Sequence, residues 1–277
     1  MTPSQEIAAC ADAAARARCF SAFAPAPMAQ HLDHVWLGEP PDAQDSPGKP
    51  GADAESASIP LTQLGAYRSE LLAVMVQHYG GDAEIHARAL LSQWSKYYFW
   101  LAAPAGVAAL LLRRPLDMSP ARTRLVLRAG MPVALYFTAD ALQPAENDVS
   151  HCYAPLVDHL QAVIETVAGM TRIAPRVLWG NAGNLLDYLA AECAAIPGAA
   201  DDMARLFNPL LADGSSNPLR HPVRQVQPCS ALLPNPFRAR RVCCMRHEIP
   251  GETNLCGSCP LLLTMPDHAL ALQEAIR

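Results

Sequence analysis

Lysine is almost missing from this chain. Lys49 and Lys96 are the only two, and all other basic side chains are arginine or histidine. With 21 Lys and Arg against 26 Asp and Glu, the formal net charge is −5, which excludes a broad basic face for nucleic acid and leaves room only for a local arginine patch. Aromatics are scarce at 6%, and charged residues at 17% fall below the usual share of about a quarter. Long apolar runs are lacking as well. The longest, Phe99 to Leu112, has 14 residues, is interrupted by Pro104 and is too short to cross a bilayer. The opening "MTPSQEIAACADAAARARCF" has no apolar stretch behind a basic start, so a secretory leader is not expected and a cytoplasmic location is. "GNAG" (Gly180 to Gly183) lacks the G-x-G-x-x-G spacing, so the glycines read as turns and no built-in nicotinamide or flavin site is expected.

What is present suffices for a sizeable core. Half of the 277 residues are apolar, enough for one large domain or two ordinary ones. An alanine-rich helix is expected from about Ser4 to Ala22, then a short strand at "VWLGE" (Val35 to Glu39). Pro40 to Ser58 is nearly all Pro, Gly, Ala, Ser and acid, the composition of a flexible loop. Helices are expected over Thr62 to Tyr79, ended by Gly80–Gly81, and over Asp82 to Ala103, stopped or kinked by Pro104. Ser119–Pro120 reads as the N-cap and first residue of a helix through Arg128. "PVALYFTAD" (Pro132 to Asp140) is the clearest strand. Helical spacing returns over Pro155 to Ala168, and Asn181 is expected to cap a helix reaching about Ile196. A shorter helix follows over Asp201 to Phe207, then proline-rich extended chain from Asn208 to Arg241, and a last helix from near Thr264. The class is therefore α+β, mainly helical with a few short strands and a small C-terminal four-cysteine motif. Strands do not alternate regularly with helices, which argues against a doubly wound nucleotide fold. Three regions are expected: an N-terminal segment over 1–61, a mainly helical domain over 62–237, and a cofactor-binding region over 238–277.

The chemistry concentrates in "RRVCCMRHEIPGETNLCGSCPLLL", Arg240 to Leu263. Four of the nine cysteines occupy it: Cys243 and Cys244 side by side, eleven residues, then Cys256 and Cys259 as C-x-x-C. Disulfides are the weakest reading for a chain expected in the cytoplasm with an odd cysteine count. A compact four-thiolate metal site is the strongest. C-x-x-C puts two thiolates on one turn, and Pro250–Gly251 can fold the intervening loop back. Adjacent cysteines point to opposite faces of an extended chain, so the pair demands a bent backbone. Spacing alone does not separate structural zinc from an iron–sulfur cluster.

The motif resembles the C-terminal signature of the FhuF-type siderophore-iron reductases: an adjacent cysteine pair, a loop, then C-x-x-C-P-L. "LSQWSKYYFWLAAPAGVAALL", "LWGNAGNLL" and "NPL" are similar to the family's upstream domain, so the resemblance covers roughly Gln63 to Leu263. It implies one [2Fe–2S] cluster ligated by Cys243, Cys244, Cys256 and Cys259. This loop has eleven residues where the family pattern has ten, a departure that bears on the cluster potential. The implied activity is reduction of a ferric siderophore, of hydroxamate type, to release Fe²⁺. The electron would come from an external donor such as a ferredoxin, a ferredoxin reductase or reduced flavin. A peripheral contact with the inner membrane is compatible with the lack of a span. Two other classes stand beside it: a zinc-stabilised binding module, and a siderophore-binding relative without catalysis.

Arg238, Arg240 and Arg241 precede the cysteines and offer two roles, tuning a cluster or docking an acidic partner, against that of an exposed basic turn. His247 in the loop offers a hydrogen bond to the cluster, against an ordinary solvent-facing histidine. Trp94, Lys96 and Tyr97 are candidates for a substrate pocket, against the more usual role of core aromatics. His78 and His86 lack paired-ligand spacing, and Cys10, Cys19, Cys152, Cys193 and Cys229 read as ordinary thiols. No nucleophile–base pair stands out at motif level.

Overall fold

The computed structural model describes residues 17–38 and 56–273. In chain order these form β1 (Arg18–Cys19), α1 (Ala26–Ala29), β2 (Val35–Leu37), β3 (Ser56–Pro60), α2 (Arg68–Tyr79) and α3 (Ala87–Leu111). β4 (Thr123–Arg128), β5 (Met131–Phe137), α4 (Val149–Thr171), α5 (Pro175–Glu192) and α6 (Ala199–Arg205) follow. The chain ends in β6 (Val223–Val226), β7 (Phe237–Arg240) and α7 (Asp267–Leu270). The α+β class holds. Contacts divide the chain into two compact units, Met1–Leu64 with Trp100–His159, and Gly65–Phe99 with Leu160–Arg277.

The first unit holds a mixed sheet in the order β1-β2-β5-β4-β3. β2 runs parallel to β5, and every other neighbouring pair is antiparallel. Thr123, Leu125 and Leu127 are buried while the residues between them are not, the period-two pattern of a half-buried strand. Burial of a leucine of this kind contributes on the order of 2 kcal/mol. This corrects the helix expected from Ser119 to Arg128. Ser119–Pro120 opens only a 3-10 turn, Pro120–Arg122, before β4 begins. Ala129 and Gly130 both take positive φ (46° and 86°), making the tight two-residue turn that returns the chain as β5.

α3 is buried nearly all round over its central and C-terminal turns, and Pro104 sits inside it without ending it. Of the stop or kink expected at Pro104, the stop does not occur, because tertiary burial outweighs one lost ladder bond. Gly106 is where α3 meets α4: a Cβ there would lie 2.7 Å from both Leu156 methyl groups.

Other expectations shift at their edges. Most of the helix expected over Ser4 to Ala22 lies outside the described residues, but Arg18–Cys19 are strand and Phe20–Ala22 a 3-10 turn. Most of the loop over Pro40 to Ser58 also lies outside them, and Ser56 to Ser58 pair with β4. β2 and β5 fall where strands were expected, and α2 ends at Gly80 with φ +76°. The C-terminal helix is a single turn, Asp267–Leu270, after a 3-10 stretch over Pro260–Thr264.

In the second unit α5 starts at Pro175, so Asn181 is interior to it rather than its cap. The glycines of "GNAG" are not turns either. Gly183 has no room for a side chain, since a Cβ would lie 2.6 Å from Pro222 Cβ, and one on Gly180 would lie 3.2 Å from Val242 Cβ. They let the β6–β7 ribbon and the chain beyond it lie directly against α5. That contact carries the cysteine segment.

Candidate metal centre

The cysteine segment is built on the end of β7. Cys243–Cys244 is followed by Met245 in left-handed backbone (φ 63°), which supplies the bend an adjacent pair requires, and Met245 N–H points at Cys243 Sγ, 3.4 Å away. Gly251 at φ +84° turns the eleven-residue loop back. The Cys259 N–H donates to the Cys256 carbonyl at 2.8 Å, closing the C-x-x-C turn. The loop is held from several sides. Ile249 is buried, Arg246 pairs with Glu252 and lies over the Tyr79 ring at 5.5 Å. Gln273 accepts from Leu255 N–H at 2.8 Å and donates to the Thr253 carbonyl at 3.1 Å. Beneath the C-x-x-C turn, Leu233, Phe237, Ala239, Leu255, Leu262 and Leu270 form a small core that includes Cys259.

The fold thus brings all four cysteines together. Cys244 Sγ and Cys256 Sγ are 4.0 Å apart, Cys243 interacts with both Cys244 and Cys259, and Cys256 interacts with Cys259. Cys244 and Cys259 are buried; Cys243 and Cys256 are partly exposed. Among the described residues no three Cys, His, Asp or Glu donors close around a single ion, and the thiols form a chain of neighbours instead. They cannot all ionise side by side. Hydrogen bonds from the Cys243 and Cys256 thiols, helped by the charges of Lys96 and Arg240, hold Cys244 well below the usual thiol range. Cys243 and Cys256, together with burial, push Cys259 far above it, and Cys244 pushes Cys243 up. Four thiolates in this space require a strongly positive centre between them, which is the chemistry a metal cluster supplies. The donor set fits an iron–sulfur group.

Behind Cys244 lies a buried polar network that the sequence reading missed. The Cys244 carbonyl accepts from Ser92 Oγ and from Gln93 Nε2, each at 2.8 Å. Lys96 Nζ donates to Gln93 Oε1 at 2.6 Å. Asn181 Nδ2 lies 2.8 Å from the Ser92 carbonyl and 3.0 Å from both Ser92 Oγ and Ser95 Oγ, while Asn181 Oδ1 accepts from Arg240 Nη2. One turn along α5, Asn184 Oδ1 accepts from Arg238 Nη1 and from Ser258 Oγ, each at 3.0 Å, and Asp187 pairs with Arg238 at 2.6 Å. Asn181, Asn184 and Asp187 recur at every third position of α5, a spacing that puts them on one face but does not by itself say what they meet.

The remaining predicted residues separate clearly. Arg238 is neutralised by Asp187, Arg240 is buried, and Arg241 is exposed. His247 is exposed, with Nδ1 3.5 Å from Cys243 Sγ. Trp94 is fully buried and stacked on Tyr98, which places it in the core of this structure. Tyr97 is tied by its hydroxyl to Tyr79 at 3.0 Å and to His78 Nε2 at 3.2 Å, so His78 lies beside this cluster after all. Lys96 belongs to the network behind Cys244.

The comparisons with known proteins agree with this geometry. Residues 92–233 match the family described as ferric iron reductase FhuF-like transporter, and residues 240–261, which contain all four clustered cysteines, match the FhuF 2Fe-2S C-terminal domain. The chain is 26% identical over 204 residues to a ferric siderophore reductase of Escherichia coli (strain K12), an alignment covering 70% of this chain and 74% of that one. With half of its length matched by the first model and its cysteine segment by the second, the chain belongs to the FhuF-like ferric iron reductase family and carries that family's [2Fe–2S] domain.

Proposed function

We propose that the protein is a siderophore-iron reductase of the cytoplasm, acting on ferric hydroxamates and fed by an external one-electron donor: a ferredoxin, a ferredoxin reductase or reduced flavin. The observation that carries this reading is the gathering of four distant-in-space-unless-folded thiols inside the segment that matches the 2Fe-2S domain. Cys243, Cys244, Cys256 and Cys259 are the ligands in this proposal, within a cluster-binding region over 238–277. When bound, a [2Fe–2S] cluster supplies one-electron transfer. One electron from the donor converts siderophore-bound Fe³⁺ to Fe²⁺. Hard oxygen donors hold Fe²⁺ far more weakly than Fe³⁺, so the metal leaves without any siderophore bond being cleaved.

The chain's own residues do three things in this account. Cys244 and Cys259 are buried from water, and Cys243 and Cys256 are partly exposed, within reach of a partner. The Met245 N–H and the His247 ring lie against the partly exposed Cys243. No helix among the described residues is long and apolar enough to cross a membrane.

The test is direct. Anaerobically purified protein is reduced, then mixed with a ferric hydroxamate and a ferrous trap. Trapped Fe²⁺ rising as the visible absorption of the oxidised protein returns supports the reading. A colourless, zinc-loaded protein that mobilises no iron overturns it in favour of a structural zinc module.

A further inference from the structure

We propose that Arg240, assisted by Lys96, is the fixed counter-charge of the four-cysteine centre, that Asn181 is the positioning residue holding it there, and that these cations set how readily the centre accepts an electron. The inference rests on the reading of that site as a one-electron centre.

Arg240 is 2% exposed. A guanidinium stays charged in a protein at any ordinary pH, so burying it without an opposite charge is costly. Elsewhere in this unit the fold avoids that cost: Arg238 faces Asp187 and Arg246 faces Glu252. Arg240 has no such partner among the described residues. Its Nη2 meets the neutral Asn181 amide, its Nε is buried with no hydrogen-bond partner, and its backbone N–H is spent on the Ser258 carbonyl at 2.9 Å. Lys96 likewise donates only to the neutral Gln93 amide among the described residues.

Both cations lead to the same atom. Lys96 reaches the Cys244 carbonyl through the Gln93 side chain, and Arg240 reaches it through Asn181 and the Ser92 hydroxyl. The missing anion is therefore the centre itself. Four thiolates around a two-iron cluster carry net negative charge, and one accepted electron adds a further unit. A cation fixed nearby in a poorly solvated site stabilises the electron-rich state more than the electron-poor one. The Asn181 amide is oriented by its bonds to Ser92 and Ser95, which turns its oxygen to the guanidinium.

The experiment uses the full chain, loaded with iron and sulfide anaerobically and assayed for both. Reduction potentials are read by visible absorption and electron paramagnetic resonance for the wild type and for Arg240→Met, Arg240→Lys, Lys96→Met and Asn181→Ala. In Arg240→Met the reduced-to-oxidised ratio at a fixed donor poise is expected to fall about tenfold, which is about 59 mV for one electron. Lys96→Met and Asn181→Ala are expected to shift the same way by less, and Arg240→Lys to restore most of the loss. A loaded Arg240→Met protein with the wild-type potential overturns the proposal, as does an equal shift in the Lys variant. If Arg240→Met does not retain its cluster, unchanged potentials in both Lys96→Met and Asn181→Ala overturn it. A wild type that binds neither iron nor sulfide instead removes the underlying reading of the site, a failure distinguishable from the others.

Discussion

His159 in the first unit and Arg240 in the second are buried to the same degree, at 1% and 2% exposure, and the fold treats them in opposite ways. His159 gives its Nδ1 to the Met118 carbonyl, and burial pushes its pKa down to about 4 despite that bond. It stays neutral, and the unit needs nothing further. Arginine has no neutral form to retreat to. A buried histidine can therefore be accommodated by packing alone, whereas a buried arginine with no carboxylate partner among the described residues calls for another anion nearby, the role proposed above for the cysteine centre.

The largest test of that contrast removes the anion side. Cys244→Ala takes away one of the two buried thiols of the four, and iron and acid-labile sulfide per chain are expected to fall essentially to background. His159 is expected to be untouched. Next comes the histidine. Its pKa is lowered from 6.5 to about 4, so the unfolded chain binds its proton first as pH falls. Stability is full above pH 6.5 and declines between about 6.5 and about 4, by about 3 kcal/mol in all at 1.36 kcal/mol per unit. Denaturant titrations at several pH values check this, and His159→Asn should flatten the slope in that window. The smallest effect separates the regions sterically. Gly183→Ala places a Cβ 2.6 Å from Pro222 Cβ, an overpacking expected to cost about 1–3 kcal/mol. It should loosen the ribbon that bears Arg240 while leaving the pH slope of His159 as it was. Gly180→Ala, with 3.2 Å to Val242, should do the same more mildly.

The two regions also differed in how far the sequence alone could be read. The cysteine segment was legible because its chemistry is local: spacing, the need for a bend after Cys244 and the Pro250–Gly251 turn are all properties of neighbouring residues. Met245 in left-handed backbone is the bend in question. The β4 strand was misread because Ser119–Pro120 is a strong local helix opener, while the competing period-two burial of Thr123, Leu125 and Leu127 is decided by pairing with β3 and β5. The network behind Cys244 was invisible for the same reason. Ser92 and Asn181 are 89 positions apart, and Arg240 a further 59 from Asn181. Only packing brings them together, and the tight glycines that permit it looked like ordinary turns.

Solvent does not reach the four clustered sulfurs equally: Cys244 and Cys259 are buried, and Cys243 and Cys256 are partly exposed. Dioxygen and peroxide would therefore reach the Cys243 and Cys256 sulfurs first, and under the proposed function those same two are the ones open to a redox partner.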